Sequence, residues 1–383
     1  MAEALDVKAY TDLIKETIRE LDEIKKYSLG QRAKDMVKSA MGRSVRTKDP
    51  MFWPAGMLML GLAEAEKHII SGLFDQQLVT ENLTSAKAES ASSIPATLIP
   101  GIEGAVKRHL SLWSNKFGGK IDYIDDALAG AALLKFYELT EDEEFKDACA
   151  GAAKRMYEYL KTAPRNEEGS FIYNVGRDSS NVFADGAGQT AMFLSLYGRI
   201  FEDPGAIELA RVQLERFRTY GCDDRSSLCY HGYSITSDGE TKKKGVMSWG
   251  RAAGWLIMGL SEYVECSRAA GVETASEIEK WYRNFSDALI SYQRFEGGFS
   301  WQVQAVEGPI DTSATGMILY GLDAENEQIT DCREKASEAL KLSIKDGKVY
   351  DALSSCDDFA VHYQTYGNYP WGQGAVLAAV SRM

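Results

Sequence analysis

The chain has 383 residues, 45% of them apolar, and a formal net charge of −13 at neutral pH. That length admits two ordinary domains or one large core. The acidic balance argues against a nucleic-acid partner, because phosphate binding rests on Lys and Arg, but it leaves room for a small acidic ligand held by a local cation. No apolar run is long enough to span a bilayer, and Met1–Asp6 carries neither the basic nor the apolar region of a signal peptide. The expectation is therefore a cytoplasmic protein with no membrane partner. Cys149, Cys222, Cys229, Cys266, Cys332 and Cys356 are scattered without a C-x-x-C pair or nearby histidines, which predicts reduced thiols and no metal site.

In chain order, Thr11–Lys26 has apolar residues at helical spacing behind a threonine cap and reads as an exposed amphipathic helix. Met51–Pro54 leads into a segment that is apolar or small on most sides, with Pro54 suited to a first helical turn, and predicts a buried helix. Similar segments follow Asp125–Asp126, Asp185, Arg251, Asp311–Thr312 and Trp371, starting roughly 60 to 70 residues apart. Charged amphipathic helices are predicted between them, at Thr97–Trp113, Asp142–Leu160, Pro204–Tyr220, Glu273–Tyr292 and Cys332–Ile344. Strand signals are weak, with short hairpins expected at Glu168–Val175 and Gly297–Val306.

Gly and Ala on the buried segments permit close helix approach, while their partners carry Lys, Glu and Arg, so an inner and an outer layer are implied. Six of each form an (α/α)6 barrel, all-α and a single domain over residues 1–383. An open solenoid is the competing arrangement, but it calls for polar capping repeats, and the last segment, Gly372–Met383, is as apolar as the middle ones.

Parallel inner helices place their N-termini on one face of such a barrel. That face then carries Trp53, Asp125, Asp126, Asp185, Trp249, Arg251, Trp255, Asp311, Thr312, Trp371 and Gln373. Carboxylates for proton transfer and indole planes for stacking on sugar rings are what a carbohydrate pocket needs. An aspartate at a helix start also serves as a cap. Asp185 differs in being followed by Gly186, Ala187 and Gly188, which either leave space for a ligand or serve close helix packing. Arg251 and Trp255 share a helical face; the guanidinium suits a ligand carboxylate or a salt bridge to an inner aspartate. His231 lies in the segment feeding that helix, and His362 in an aromatic loop before Trp371 suited to a sugar-binding rim or to plugging the barrel. No phosphate loop, dinucleotide fingerprint or nucleophile elbow is present, and no cofactor is called for.

The series IDDALAG, FADGAGQTAMFLSLYG, YHGY, SWGRAAGWLIMGLSEYVE, DTSATGMILYGL and YPWGQGAVLAA resembles the unsaturated glucuronyl and rhamnogalacturonyl hydrolases of glycoside hydrolase families 88 and 105, the 105 type more closely. The resemblance runs from about Trp53 to the C-terminus. It implies an (α/α)6 barrel that removes the terminal 4,5-unsaturated uronic acid from lyase-generated oligosaccharides. Asp185 matches the general acid and base, and Asp125 the second essential aspartate, with Asp126 beside it as the other candidate; His231, Arg251 and Trp255 match substrate contacts. Trp53, Phe183, Trp371 and His362 join them as pocket candidates. The acid that protonates C4 is expected to have a raised pKa, which burial and a nearby carboxylate favour. The chain departs from the family in carrying Phe183 where Trp is frequent, and in lacking a His-Lys pair at Tyr173–Arg177. A sugar epimerase on the same barrel and a non-catalytic carbohydrate-binding scaffold are the rival readings.

Overall fold

The computed structural model describes residues 5–24, 33, 36–37, 40, 50–82, 94–173, 180–271, 276–323, 326, 329–356 and 365–383. Among these, six inner helices alternate with six outer ones. The inner set is α2 (Trp53–Asn82), α4 (Ala127–Leu139), α6 (Ala184–Ile200), α8 (Gly250–Ala269), α10 (Thr312–Gly321) and α12 (Pro370–Val380). The outer set is α1 (Val7–Ile24), α3 (Ile99–Phe117), α5 (Glu143–Thr162), α7 (Pro204–Gly221), α9 (Ser276–Ile290) and α11 (Thr330–Leu342). Each inner helix packs on the next, and α12 packs back on α2, so the ring closes as an (α/α)6 barrel. No described helix is long and apolar enough to cross a membrane.

The two layers follow from side-chain pattern. On α1 the buried residues Tyr10, Leu13, Ile14, Thr17 and Leu21 form one stripe, and each fully buried leucine contributes about 2 kcal/mol. Its cap is Asp6, whose carboxylate accepts from the Ala9 N–H at 2.7 Å, so the helix starts at Val7 and Thr11 lies inside it. Asp142 and Asp203 cap α5 and α7 in the same way. Inner helices approach backbone to backbone where glycine removes the side chain. A Cβ on Gly374 would stand 2.3 Å from the Met57 carbonyl oxygen, and one on Gly188 2.1 Å from that of Trp255.

Strands are confined to connections. β1 (Asn181–Phe183), β2 (Tyr230–Ile235) and β3 (Thr241–Met247) form an antiparallel sheet in the order β1-β2-β3. Two-stranded pairs follow, β4 (Ile344–Lys345) with β5 (Lys348–Val349) and β6 (Ala352–Leu353) with β7 (Tyr366–Gly367). The hairpin expected at Glu168–Val175 is a tighter turn with a single bridge, Arg165 to Phe171, and the stretch 297–306 makes only isolated bridges. Residues 174–175 lie outside the described part of the chain.

Deep in the barrel an ionic layer fills the end away from the inner-helix N-termini. Lys135 bridges Glu64 at 3.1 Å and Glu262 at 3.0 Å, and the Tyr320 hydroxyl donates to Glu64 at 2.9 Å. Burial works to push Glu64 up, but Lys135, Arg382, Lys67 and the tyrosine hydroxyl outweigh it and hold its carboxyl at about 2. Lys135 is raised well above the ordinary lysine value, since the same carboxylates overcome the cost of its burial.

Candidate active site

The barrel has two ends, and their side chains differ in what they leave open. The cavity of about 410 Å³ at the far end is lined by side chains already engaged with one another, including Lys135 with Glu64 and Arg199 with Glu138. At the N-terminal end of the inner helices, Asp185 stands in the first turn of α6 with its Oδ2 buried and accepting no hydrogen bond among the described residues. His231 Nε2 lies 3.4 Å from that oxygen.

The sheet explains that meeting. β1 ends at Phe183, directly before α6, and pairs with β2, where Phe183 lies opposite Gly232. His231, one residue earlier, is thereby carried to the start of α6. Its ring sets edge-on to Phe183 at 5.1 Å and stacks on Trp249 at 5.7 Å. Phe183 in turn packs on Tyr173 at 4.8 Å, and the Tyr173 hydroxyl donates to Asp125 Oδ2 at 2.8 Å. The two aspartates matched to the family are thus joined through Tyr173, Phe183 and His231. Asp126 takes another place: it is fully buried, and its carboxylate accepts from the Tyr123 N–H at 3.3 Å, bracing the 3-10 turn before α4.

The rest of the rim is aromatic. Trp53 lies 5.2 Å from Trp371 and 6.1 Å from Trp255, Tyr369 stacks on Trp371 at 4.8 Å, and Trp301 meets Trp249 at 5.9 Å. The Arg251 guanidinium lies between Trp249 and Trp371, 5.2 and 5.6 Å from the ring centres. Both of its terminal nitrogens are engaged, Nη1 with the Leu353 carbonyl at 2.8 Å and Nη2 with that of Ser354 at 2.9 Å, and Asp311 Oδ2 is 3.9 Å from Nη1. Trp371 Nε1 donates to the same Leu353 carbonyl. Arg251 therefore pins the β6 segment to the rim. Asp311 caps α10 through Ser313 and also accepts from the Leu353 N–H.

Two sequence expectations change here, and one open alternative is decided. Gln373 is turned into the buried layer between α12 and the outer elements, bonding Thr17 of α1, Gly347 and Val349. Thr312 is turned to the Tyr350 carbonyl. Gly186 and Gly188 serve packing rather than open space, since a Cβ on Gly186 would meet Ile124 at 2.8 Å and one on Gly188 the Trp255 backbone. His362 lies outside the described residues. Tyr173 and Trp301 were not among the sequence candidates; for Tyr173, the nearest signal was its place in the loop before Asp185. Among the described residues no three His, Cys, Asp or Glu side chains converge as metal ligands.

A helical barrel that brings two aspartates and a wall of indoles together where its inner helices begin defines a carbohydrate-active enzyme. Residues 105–383 match the model of Glycosyl Hydrolase Family 88. That is well over half of the chain, and the protein belongs to this family. Among solved structures, a possible member of glycoside hydrolase family 105 from Salmonella enterica is 15% identical with a TM-score of 0.71, covering 99% of this chain and 94% of that one. A family 105 glycoside hydrolase from C. acetobutylicum is 17% identical with a TM-score of 0.64 over 91% of this chain and 98% of that one. An unsaturated glucuronyl hydrolase from Bacillus sp. GL1, responsible for the degradation of glycosaminoglycan, is 14% identical with a TM-score of 0.65 over 97% of this chain and 95% of that one. At such identities the likeness carries the fold. A comparison with curated proteins finds no match.

Proposed function

We propose that this family 88 hydrolase removes a terminal 4,5-unsaturated uronic acid from lyase-generated glucuronyl or rhamnogalacturonyl oligosaccharides, residues 1–383 acting as one catalytic domain. The observation that carries the reading is Asp185: a carboxylate with one oxygen buried and accepting no hydrogen bond among the described residues, beside His231, at the aromatic-walled end of the barrel where the inner helices begin.

In this reading Asp185 delivers its proton to C4 of the vinyl ether. The double-bond electrons form the new C–H bond, and positive charge develops at C5, shared with the ring oxygen. Water adds at C5 while Asp185 takes back a proton, and the resulting hemiketal opens, releasing the next sugar. Atoms balance with one water consumed. Asp125, held by Tyr173, supplies the second negative charge near the developing cation, a form of electrostatic stabilisation that gains strength where water is excluded. His231 orients Asp185 and contacts the sugar. Trp53, Trp255, Trp371 and Phe183 supply ring surfaces, and Arg251 acts by holding the β6 segment in place.

The test is incubation of the enzyme with unsaturated disaccharides from pectin, ulvan and glycosaminoglycan lyases, following the ultraviolet absorbance of the conjugated enol ether. Absorbance falls with at least one of them. No loss with any product overturns the reading, and saccharide bound without chemical change leaves the scaffold reading in its place. Asp185→Asn lowers kcat by roughly a hundredfold to ten-thousandfold, the span for a general acid, with an unchanged melting curve; retained activity removes Asp185 from its role.

A further inference from the structure

Cys222 and Cys229 stand opposite each other in an antiparallel bridge that closes the turn between α7 and β2. The flanking bond runs from the Asp223 N–H to the Leu228 carbonyl at 2.8 Å. This bracketing makes the cysteines a non-hydrogen-bonded pair, the register in which opposed Cα atoms come closest, at roughly 4.5 Å. That separation lies within the span a disulfide bridges without backbone movement. The turn is built to hold this register: Asp223 accepts from the Ser226 N–H and hydroxyl, and Ser227 adopts a positive φ of 59°. Both thiols are free and buried. Cys149, Cys266 and Cys332 sit on three separate helices, α5, α8 and α11.

The pair also sits beside the candidate active site. Cys229 precedes His231 by two residues, and its carbonyl accepts from the Ser248 N–H at 2.7 Å, one residue before Trp249, on which His231 stacks. The hairpin that brings His231 to Asp185 therefore starts at this pair.

We propose that Cys222 and Cys229 form a redox modification site, converted by low-molecular-weight disulfides into an internal disulfide that fixes the hairpin carrying His231. The exchange balances: the Cys222 thiolate attacks one sulfur of the small disulfide and displaces a thiol. Cys229 then attacks the Cys222 sulfur, releasing the second thiol. Two protons and two electrons pass from the protein thiols to the reagent. Cys222 is the entry point, being 5% exposed against 0% for Cys229. Burial pushes the Cys229 thiol up to about 12, with Asp185 adding to the rise, and pushes Cys222 well above its ordinary value against the opposing pull of Lys243 and Arg218, so exchange is slow at neutral pH and is measured in mildly alkaline buffer.

The experiment equilibrates the folded full-length protein in oxidised or reduced glutathione, quenches with acid, alkylates under denaturing conditions and maps the peptides by mass. In oxidised glutathione, recovery of alkylated Cys222 and Cys229 falls by roughly tenfold or more as the couple is driven by the glutathione poise. A cross-linked peptide two hydrogens lighter appears, is reversed by dithiothreitol, and is accompanied by slower amide exchange over residues 222–231. Cys229→Ala traps a mixed disulfide with glutathione at Cys222, while Cys149→Ala leaves the cross-link unchanged. Full recovery of both alkylated cysteines, or a cross-link to any other cysteine, overturns the proposal. The mass readout is independent of activity, so its outcome is separate from that of the hydrolase assay.

Discussion

At the scale of single residues, Tyr173 decides how Asp125 is presented. Its hydroxyl donates to Asp125 Oδ2 at 2.8 Å, while its ring is packed on Phe183 and under Gly186. A hydrogen bond to a buried charged group is worth about 1.5–3 kcal/mol, which corresponds to roughly ten- to a hundredfold in rate if it is felt in the transition state. Tyr173→Phe keeps the ring and removes the donor. We expect kcat/KM on an unsaturated disaccharide to fall by roughly that factor, with thermal unfolding shifted far less. Unchanged kinetics would make Tyr173 a packing residue only. Asp125 and Asp185 were visible in the sequence because each stands at the head of a small-residue helix. Tyr173 was not, because nothing local marks a loop tyrosine whose partner is 48 positions away in the chain. Arg251 illustrates the opposite case: its position was legible, but the two carbonyls that it grips belong to a segment a hundred residues on.

At the scale of the element, α2 carries a carboxylate in the wrong solvent. Glu66 is fully buried, and neither of its oxygens has a hydrogen-bond partner among the described residues. Burial pushes it up to about 8, reinforced by Glu103 and opposed by Lys107, from a value of 4.5 for an ordinary glutamate. In the window between those two values the unfolded chain binds fewer protons than the folded one, so stability falls as pH rises. The contribution is complete below about 4.5 and is lost as pH climbs through about 8, at up to about 1.4 kcal/mol per pH unit. Glu66→Gln, which is neutral at every pH, flattens that loss. Melting temperatures of the two proteins should diverge from mildly acidic to mildly alkaline buffer, with the variant higher at the alkaline end; parallel curves would remove Glu66 as the titrating group. Helical periodicity recovered the six inner and six outer helices of the described barrel because each buries a stripe or a whole circumference. It missed the sheet that carries His231. The signal was present as Asp238–Gly239, a turn pair between β2 and β3, but Lys242, Lys243 and Lys244 replace the alternation that marks a half-buried strand.

At the scale of the molecule, closure of the ring was the inference least securely held by the sequence, since an apolar last helix argues for it only indirectly. The contact is direct: α12 lies on α2, the Tyr10 hydroxyl bonds Ser381 Oγ at 2.6 Å, and Gln373 reaches Thr17 at 3.2 Å. The same seam brings Trp53 and Trp371 together where the inner helices begin, so barrel closure and the site's aromatic wall are one packing problem. Two glycine-to-alanine substitutions separate this from helix propensity. Gly72→Ala lies on α2 with nothing among the described residues within 4 Å of the new Cβ, and by helix propensity alone it stabilises the protein by about 1 kcal/mol. Gly374→Ala places its Cβ 2.3 Å from the Met57 carbonyl oxygen and 2.5 Å from its carbon. Backbone cannot yield there without moving α12 off α2, a cost of about 1–3 kcal/mol that outweighs the gain in propensity. Equilibrium unfolding should therefore move in opposite directions for the two variants, and only Gly374→Ala should also raise KM, by disturbing the Trp53–Trp371 contact. Stabilisation by Gly374→Ala would mean that the seam is looser than a closed ring requires.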